Sequence, residues 1–377
     1  MRVNGKGCPN AYFVLLPKSL GMYRCTVMSL AVTLTPSGRA LVGNPIKLTI
    51  ATDGIAVYTV IVDGTPAYTG SGQGAFYVFL SEIILPYLSA QLCSNENGNA
   101  VIPISGQYAN VMVSVSDDDG NGPVVKSLMV YLGGISRRAF RALGGNNIFT
   151  ARFMAATNFF FTARGTASLI TMKEREIMPL PMIVPEALQV VCGSHSYSPS
   201  AVAGTFAALN LSRLRAYWQT TFGYLPDHFD IYGYHAKAVT IRFEASPLSK
   251  DSYLVRFLDS LGCYCLTEFR GGASQGVDMG DDVSYQKYDA VTDSYAEGRN
   301  RLEVHPVVKM STGYQTEAEL LFLQELLQSE DVTLLSFRGA DRKVTATCDS
   351  FEVALASFSP GSLDFDFRFV DADITLD

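Results

Sequence analysis

Between Met28 and Leu132, apolar residues fall at alternate positions in short runs separated by turn-forming residues. Alternation of this kind predicts half-buried strands, and several such runs close together predict a β-sandwich. The runs are "VGNPIKLTIAT", "AVYTVIVDG", "AFYVFLSEII", "NVMVSVSDDDGNG" and "VVKSLMVYL". Asp53-Gly54, Asp63-Gly64 and the "DDDGNG" tract lie between them, because Asp, Asn and Gly tolerate the positive φ of tight turns. The "GSGQG" tract, Gly70 to Gly74, reads as a loop or linker: no lysine follows it to mark a phosphate cradle.

Two Gly-Gly pairs around a basic stretch, in "YLGGISRRAFRALGGNN", predict a domain boundary near residue 132. Beyond it, "NFFFTAR", "SLITMKEREIMPLPMIV" and "ALQVVCGS" read as strands, and "DHFDIYGYHAKAVTIRFEAS" as a hairpin turning near Gly233. The segment "PSAVAGTFAALNLSRLRAYWQT" fits neither period.

From Ser246 onward the periods mix. Leu254, Phe257, Leu258 and Leu261 stand at i, i+3, i+4 and i+7, which predicts a helix capped by Ser249 or Ser252 and stopped at Gly262. Thr316 and Glu319 form a capping box ahead of Leu320, Leu323 and Leu327, predicting a second helix. After it, "DVTLLSF", "KVTATCDSFEVALASF" and the alternating "SLDFDFRFVDAD" predict an antiparallel meander.

The expected architecture is mainly β with a smaller α+β part. It comprises a β-sandwich over 28–132, a second β-rich domain over 133–245, and a C-terminal α+β domain over 246–377 with an antiparallel sheet and two short helices. Residues 1–27 read as an N-terminal extension, upstream of the natural start if Met28 is that start.

Composition narrows the function. A net charge of −7 with scattered Lys and Arg offers no footprint for a phosphate backbone, so nucleic acid is not an expected partner. No apolar run reaches the roughly 20 residues that cross a bilayer, so no membrane insertion is expected. Charged residues make up 17 % of a chain that is 48 % hydrophobic, a balance that favours association through surfaces.

Candidate chemistry is sparse. Cys263 and Cys265 in "LDSLGCYCLTEFRGG" are the one close pair among seven cysteines; in a strand, thiols two residues apart lie too far apart for a disulfide and read as packing residues. Asp117, Asp119 and Asn121 carry oxygens at alternate positions, the opening of a calcium loop. The twelfth position is Leu128 where a bidentate Glu is needed, so a hairpin turn is expected and a looser calcium site is the alternative. No catalytic set or cofactor motif emerges, so neither enzymatic activity nor a cofactor is expected. The acidic, tyrosine-rich segment around Tyr285, Tyr288 and Tyr295 reads as an interaction surface.

The order "LVGNPIKLTI", "FYVFLSEII", "YLVRFLDSLGCYCLTEFRGG", "STGYQTEAELLFLQELLQSEDVTLL", "CDSFEVA" and "LDFDFRFVDAD" resembles a family of tail-tip or baseplate proteins of phages and prophages of gut Bacteroidetes. The resemblance implies a structural protein of the virion tail, made in the bacterial host cytoplasm. Its partners would be further copies of itself in a ring, such as a distal tail ring, and other tail or baseplate proteins. The alternative from the same strand-rich texture is an extracellular binding module, an adhesin or glycan binder.

Overall fold

Period-two burial dominates the chain, and the protein is mainly β with a few short helices. The structure is a computed structural model that describes residues 30–370 apart from 143–147, 157, 166–167, 247–251, 280–283, 300–303 and 355–359; the N-terminal extension expected over 1–27 lies outside the described residues. Over the described residues two compact units form, one from within residues 30–89 and 106–149, the other from within 90–105 and 150–370.

The first unit contains β1 (Ala31–Thr35), β2 (Gly38–Leu41), β3 (Lys47–Val62), β4 (Thr65–Phe79) and the short helix α1 (Ser81–Ile84). The chain then contributes β5 (Val101–Pro103) to the second unit and returns for β6 (Tyr108–Asp117), β7 (Val124–Tyr131) and helix α2 (Arg137–Ala142). Its six-stranded sheet runs β1-β3-β6-β7-β2, with β4 also on β3. The sixteen residues of β3 serve two neighbours in turn: Lys47–Ala51 pair with β1, and Ala56–Val62 pair with β6. Leu48 and Ile50 from the first stretch and Ala56, Tyr58, Val60 and Val62 from the second join one core with Val111, Val113 and Val130.

The changeover at Thr52–Gly54 is held by the "DDDGNG" turn between β6 and β7. The Thr52 hydroxyl donates to Asp117 (3.1 Å), and the Ile55 N–H donates to Asp118 (2.8 Å). A Cβ at Gly54 would lie 2.0 Å from the Asp118 carboxylate oxygen that accepts the Ile55 N–H, so a side chain there would push that carboxylate off its contact. "GSGQG" is not a loop but lies within β4. A Cβ at Gly70 would lie 2.4 Å from the Tyr58 hydroxyl, and one at Gly72 would lie 2.7 Å from the Phe76 ring; the glycines let these rings lie across the strand.

In the second unit, β8 (Leu169–Lys173), β9 (Leu180–Ile183), β10 (Gln189–Cys192), β11 (His195–Tyr197), β12 (Phe206–Leu209), β13 (His228–Gly233) and β14 (Ala236–Glu244) make two sheets. Their orders are β11-β10-β13-β14-β8 and β5-β12-β9. The predicted hairpin is β13–β14, turning at Tyr234 and His235, both at positive φ. Between β12 and β13 lies α3 (Leu211–Phe222), in the segment whose period was mixed. Asn210 caps it by accepting from the Arg213 N–H, Gly223 ends it at φ 79°, and Leu211, Leu214 and Trp218 bury its inner face.

The remaining strands are β15 (Tyr253–Leu258), β16 (Tyr264–Phe269), β17 (Ala273–Met279), β18 (Ser284–Asp289), β19 (Ser294–Arg299), β20 (Val304–Ser311), β21 (Val332–Phe337), β22 (Ala340–Thr347) and β23 (Asp364–Phe369). Seven of them form one sheet, β16-β15-β21-β22-β23-β20-β17, and β18 pairs with β19. The helix expected over Leu254–Leu261 is a correction: β15 occupies it. Val255 and Phe257 point inward while Leu254, Arg256 and Leu258 are half-buried, and the strand is paired on both edges, with β16 and β21. β-Branched and aromatic residues suit that setting better than their helical spacing suggests. Ser252 caps nothing; its hydroxyl donates to Glu268. The Thr316–Glu319 capping box does start a helix, which divides at Leu323 into α4 (Glu317–Phe322) and α5 (Gln324–Leu327). In the meander β21-β22-β23, Leu363, Phe365, Phe367 and Phe369 are buried.

A buried charge network ties β8 and the turn after it to β16. Arg164 pairs with Glu176 at 2.6 Å, with side-chain exposures of 10 % and 3 %. Arg164 also donates to the Leu266 carbonyl, and Glu176 accepts the Glu268 N–H (2.8 Å). Lys173 donates to the Gln315 side chain (2.6 Å). Burial pushes the Glu176 carboxyl up, but the charges of Arg164 and Lys173 outweigh it and hold the group below the usual range. Removing one partner leaves an uncompensated buried charge. Arg164→Ala is therefore expected to destabilise the protein by about 3–5 kcal/mol in urea unfolding, and adding Glu176→Gln, which removes the stranded charge, is expected to recover part of that loss.

Candidate functional site

The three tyrosines singled out from the sequence lie on the β18–β19 hairpin, an arm separate from the seven-stranded sheet. β17 and β20 pair along their lengths until Met279 stands opposite Val304. The segment between them therefore leaves the seven-stranded sheet and returns to it at one place. It carries the hairpin β18–β19, in which Tyr288 stands opposite Tyr295 and Tyr285 opposite Gly298. Side chains alternate along a strand, so Tyr288 and Tyr295 share one face and Tyr285 lies on the other. The structure thus brings two of the three together.

Tyr288 and Tyr295 form an edge-to-face pair with ring centroids 5.5 Å apart, and both are exposed, at 51 % and 70 %. The Tyr288 hydroxyl donates to Asp293 across the turn (2.5 Å), and this bond pushes the phenol above its ordinary range. Asp289 shapes the same turn by accepting from the Val291 N–H and the Thr292 hydroxyl. Val291 at the tip is 93 % exposed. A two-stranded hairpin has no interior of its own and is marginal in water. Its rings and aliphatic tip offer a partner a firm aromatic contact at little entropic cost.

Asp117, Asp119 and Asn121 fall in the β6–β7 hairpin turn. Asp117 accepts from the Asn121 N–H (2.7 Å), the Asn121 side-chain amide (3.0 Å) and the Thr52 hydroxyl; the Asn121 bonds above all hold its carboxyl below the usual range. Asp119 is exposed. Asn121 thus turns a donor toward Asp117, and the arrangement serves the turn and the β3 changeover. Among the described residues, no group of three or more His, Cys, Asp or Glu gathers as a metal site.

Cys263 and Cys265 lie in a hairpin, not behind a helix. The turn from β15 to β16 is organised by Asp259, which is buried. Asp259 Oδ1 accepts the N–H groups of Leu261 (3.1 Å) and Cys263 (2.9 Å), while Oδ2 accepts the Ala163 N–H (3.1 Å) and the Cys265 thiol (3.6 Å). Both cysteines are buried and free, and burial pushes both thiols well above their ordinary value. A thiol held protonated is a poor nucleophile and a poor metal ligand. Sequence reasoning missed Asp259, whose signal was the "DSLG" turn sequence itself.

A cavity of about 130 Å³ lies beside the buried charge network, lined by Arg164, Lys173, Glu176, Gln315, Glu319 and Phe322. Its charged groups are engaged with one another: besides the Arg164–Glu176 pair, Lys173 lies 3.5 Å from Glu319.

No protein-family model matches the chain, and no curated protein matches it.

Burial raises the Asp259 carboxyl to about 7 despite its hydrogen bonds. For an acid raised on folding, the folded state binds more protons between the two pKa values, so stability falls as pH rises through that window. Unfolding free energy is therefore expected to fall by a few kcal/mol from about pH 4 to about pH 7. Asp259→Asn, which keeps the Oδ1 contacts, is expected to flatten that slope. An unchanged slope in denaturant titrations of the variant would show that another group carries it.

Proposed function

We propose that this protein is a non-enzymatic structural subunit of a phage or phage-like tail, at its tip, baseplate or distal ring, and that it works by protein–protein assembly. The observation that carries the assembly reading is the β18–β19 arm. It is inserted at the paired ends of β17 and β20 and presents Tyr288, Tyr295 and Val291 to solvent. Such an element contributes little to the core of its own chain, and a partner that covers it gains aromatic burial.

The ordering of the sequence segments supplies the tail context. The buried polar chemistry is also in keeping with a scaffold: Asp117 serves a changeover, Asp259 a turn and Glu176 a join between sheets. Partners in this reading are further copies of the chain in a ring and neighbouring tail proteins. A heterologous contact repeated around an axis closes a ring.

The exposed aromatic pair also favours a second reading, glycan binding by an extracellular module, because sugar faces pack on aromatic rings. The two readings separate on one pair of variants. In the assembly reading, Tyr288→Ala with Tyr295→Ala leaves the thermal transition of the purified protein within a few degrees, since both rings are solvent-facing. Incorporation into particles, measured by quantitative mass spectrometry of purified virions, is expected to fall at least tenfold. Normal incorporation together with lost binding on a glycan array would instead favour the second reading.

A further inference from the structure

Strand β17 has a different feature at each end. Beyond Met279 the chain enters the β18–β19 hairpin, whose exposed tip carries Val291 and the Tyr288–Tyr295 pair. At the other end, Ala273 to Gln275 border a groove of about 320 Å³, which the start of β15 and the end of β21 also line. Tyr253, Val308, Leu335 and Phe337 give the groove its apolar lining, and the exposed Arg175 and Arg338 stand beside them. The Tyr253 and Phe337 rings lie 6.1 Å apart; the Arg338 guanidinium lies over Phe337 at 5.7 Å and donates to Gln275 (2.6 Å).

A bulge puts Phe337 there. Strict alternation from the buried Val332 and Leu334 would turn Ser336 inward. The β21–β22 register instead shifts between Leu334 and Phe337, with Ser336 at φ 51°, and Phe337 packs against Tyr253 and against Phe369 (5.6 Å). Bulges of this kind re-aim a side chain.

We propose that the tip of the β18–β19 hairpin of one copy docks in this groove of the next copy, head to tail. The inference rests on the assembly reading and names the surface that the arm meets. Charge selects the occupant. Between Tyr285 and Glu297 the hairpin sets three carboxylates, Asp289, Asp293 and Glu297, against the one ammonium of Lys287. The groove and the groups directly behind it have the opposite balance. Arg175, Arg270 and Arg338 stand against Glu268, which is buried between Arg175 (3.1 Å) and Arg270 (2.8 Å), and Asp341, which accepts the Ser336 N–H. Opposite potentials steer such a contact and fix its register. Glu297 lies two residues from Tyr295, on the face that the tyrosine pair shares. Its exposed carboxylate and the two rings thus match the Arg338 guanidinium and the aromatic lining. The seven residues of β17 span about 20 Å, so tip and groove belong to separate ends of the strand. A contact between unlike surfaces is heterologous and repeats around an axis, as a ring requires.

The test uses the full chain in sedimentation velocity across micromolar concentrations, with circular dichroism to check folding. Wild type is expected to form dimers and larger species as concentration rises. An arm variant, Tyr288→Ala with Tyr295→Ala, and a groove variant, Arg338→Glu, are each expected to associate at least tenfold more weakly. Mixed in equal amounts they are expected to form a one-to-one pair and nothing larger, because one intact arm and one intact groove remain. Arg338→Gly, which suits the φ of 49° at that turn position, provides the same comparison should the charge reversal misfold. Groove variants that associate as wild type does would overturn the groove and leave the assembly reading standing. A mixture that stays monomeric would overturn the head-to-tail pairing. A wild-type chain that remains monomeric throughout would overturn docking between copies, while incorporation into particles would still decide the assembly reading separately.

Discussion

A carboxylate taken out of water must be given partners, and Glu176 draws them from separate stretches of chain: the Arg164 guanidinium, the Lys173 N–H and the Glu268 N–H. Each of these lies in a different part of the second unit. Arg164 precedes β8, Lys173 ends it, and Glu268 lies in β16 of the seven-stranded sheet. A buried ion is tolerated when its geometry is met in full, and apolar contact between sheets would accept many registers where this contact accepts few. The arrangement of β8 against β16 is thus fixed by a polar join, while the apolar cores on either side supply most of the burial.

How far the sequence anticipates the structure depends on how local the determinant is. The alternation of Leu363, Phe365, Phe367 and Phe369 gave β23 its face, and the Thr316–Glu319 box gave α4 its start, because each is complete within a few residues. The Leu254–Leu261 spacing misled because four leucine or phenylalanine positions satisfied a helical period while the strand's fate was decided by β16 and β21, one of them more than seventy residues away. α3 was passed over although Asn210 and Gly223 bracket it, since the apolar run of β12 merges into its first turn. The visit of β5 to the second unit rests on pairing with β12, a partner about a hundred residues distant, and leaves no mark in its own three residues.

The candidate residues show the same division. Tyr285, Tyr288 and Tyr295 were legible as an exposed cluster, but which two share a face is set by the β18–β19 register. Asp117 was legible as a turn residue; that it also steadies the point where β3 changes neighbours depends on Thr52, far away in sequence. Cys263 and Cys265 were legible as buried thiols, whereas the organising residue of that hairpin is the carboxylate of Asp259, reached through backbone N–H groups that no side-chain pattern reveals.

The arm begins and ends where Met279 and Val304 face each other across two antiparallel strands. Whatever chain lies between those two residues, the sheet sees the same pair of ends at the same separation. Its register is therefore indifferent to the length and composition of the insert. In evolutionary terms, this is a socket: the exposed hairpin can be exchanged for another without asking the rest of the sheet to adjust.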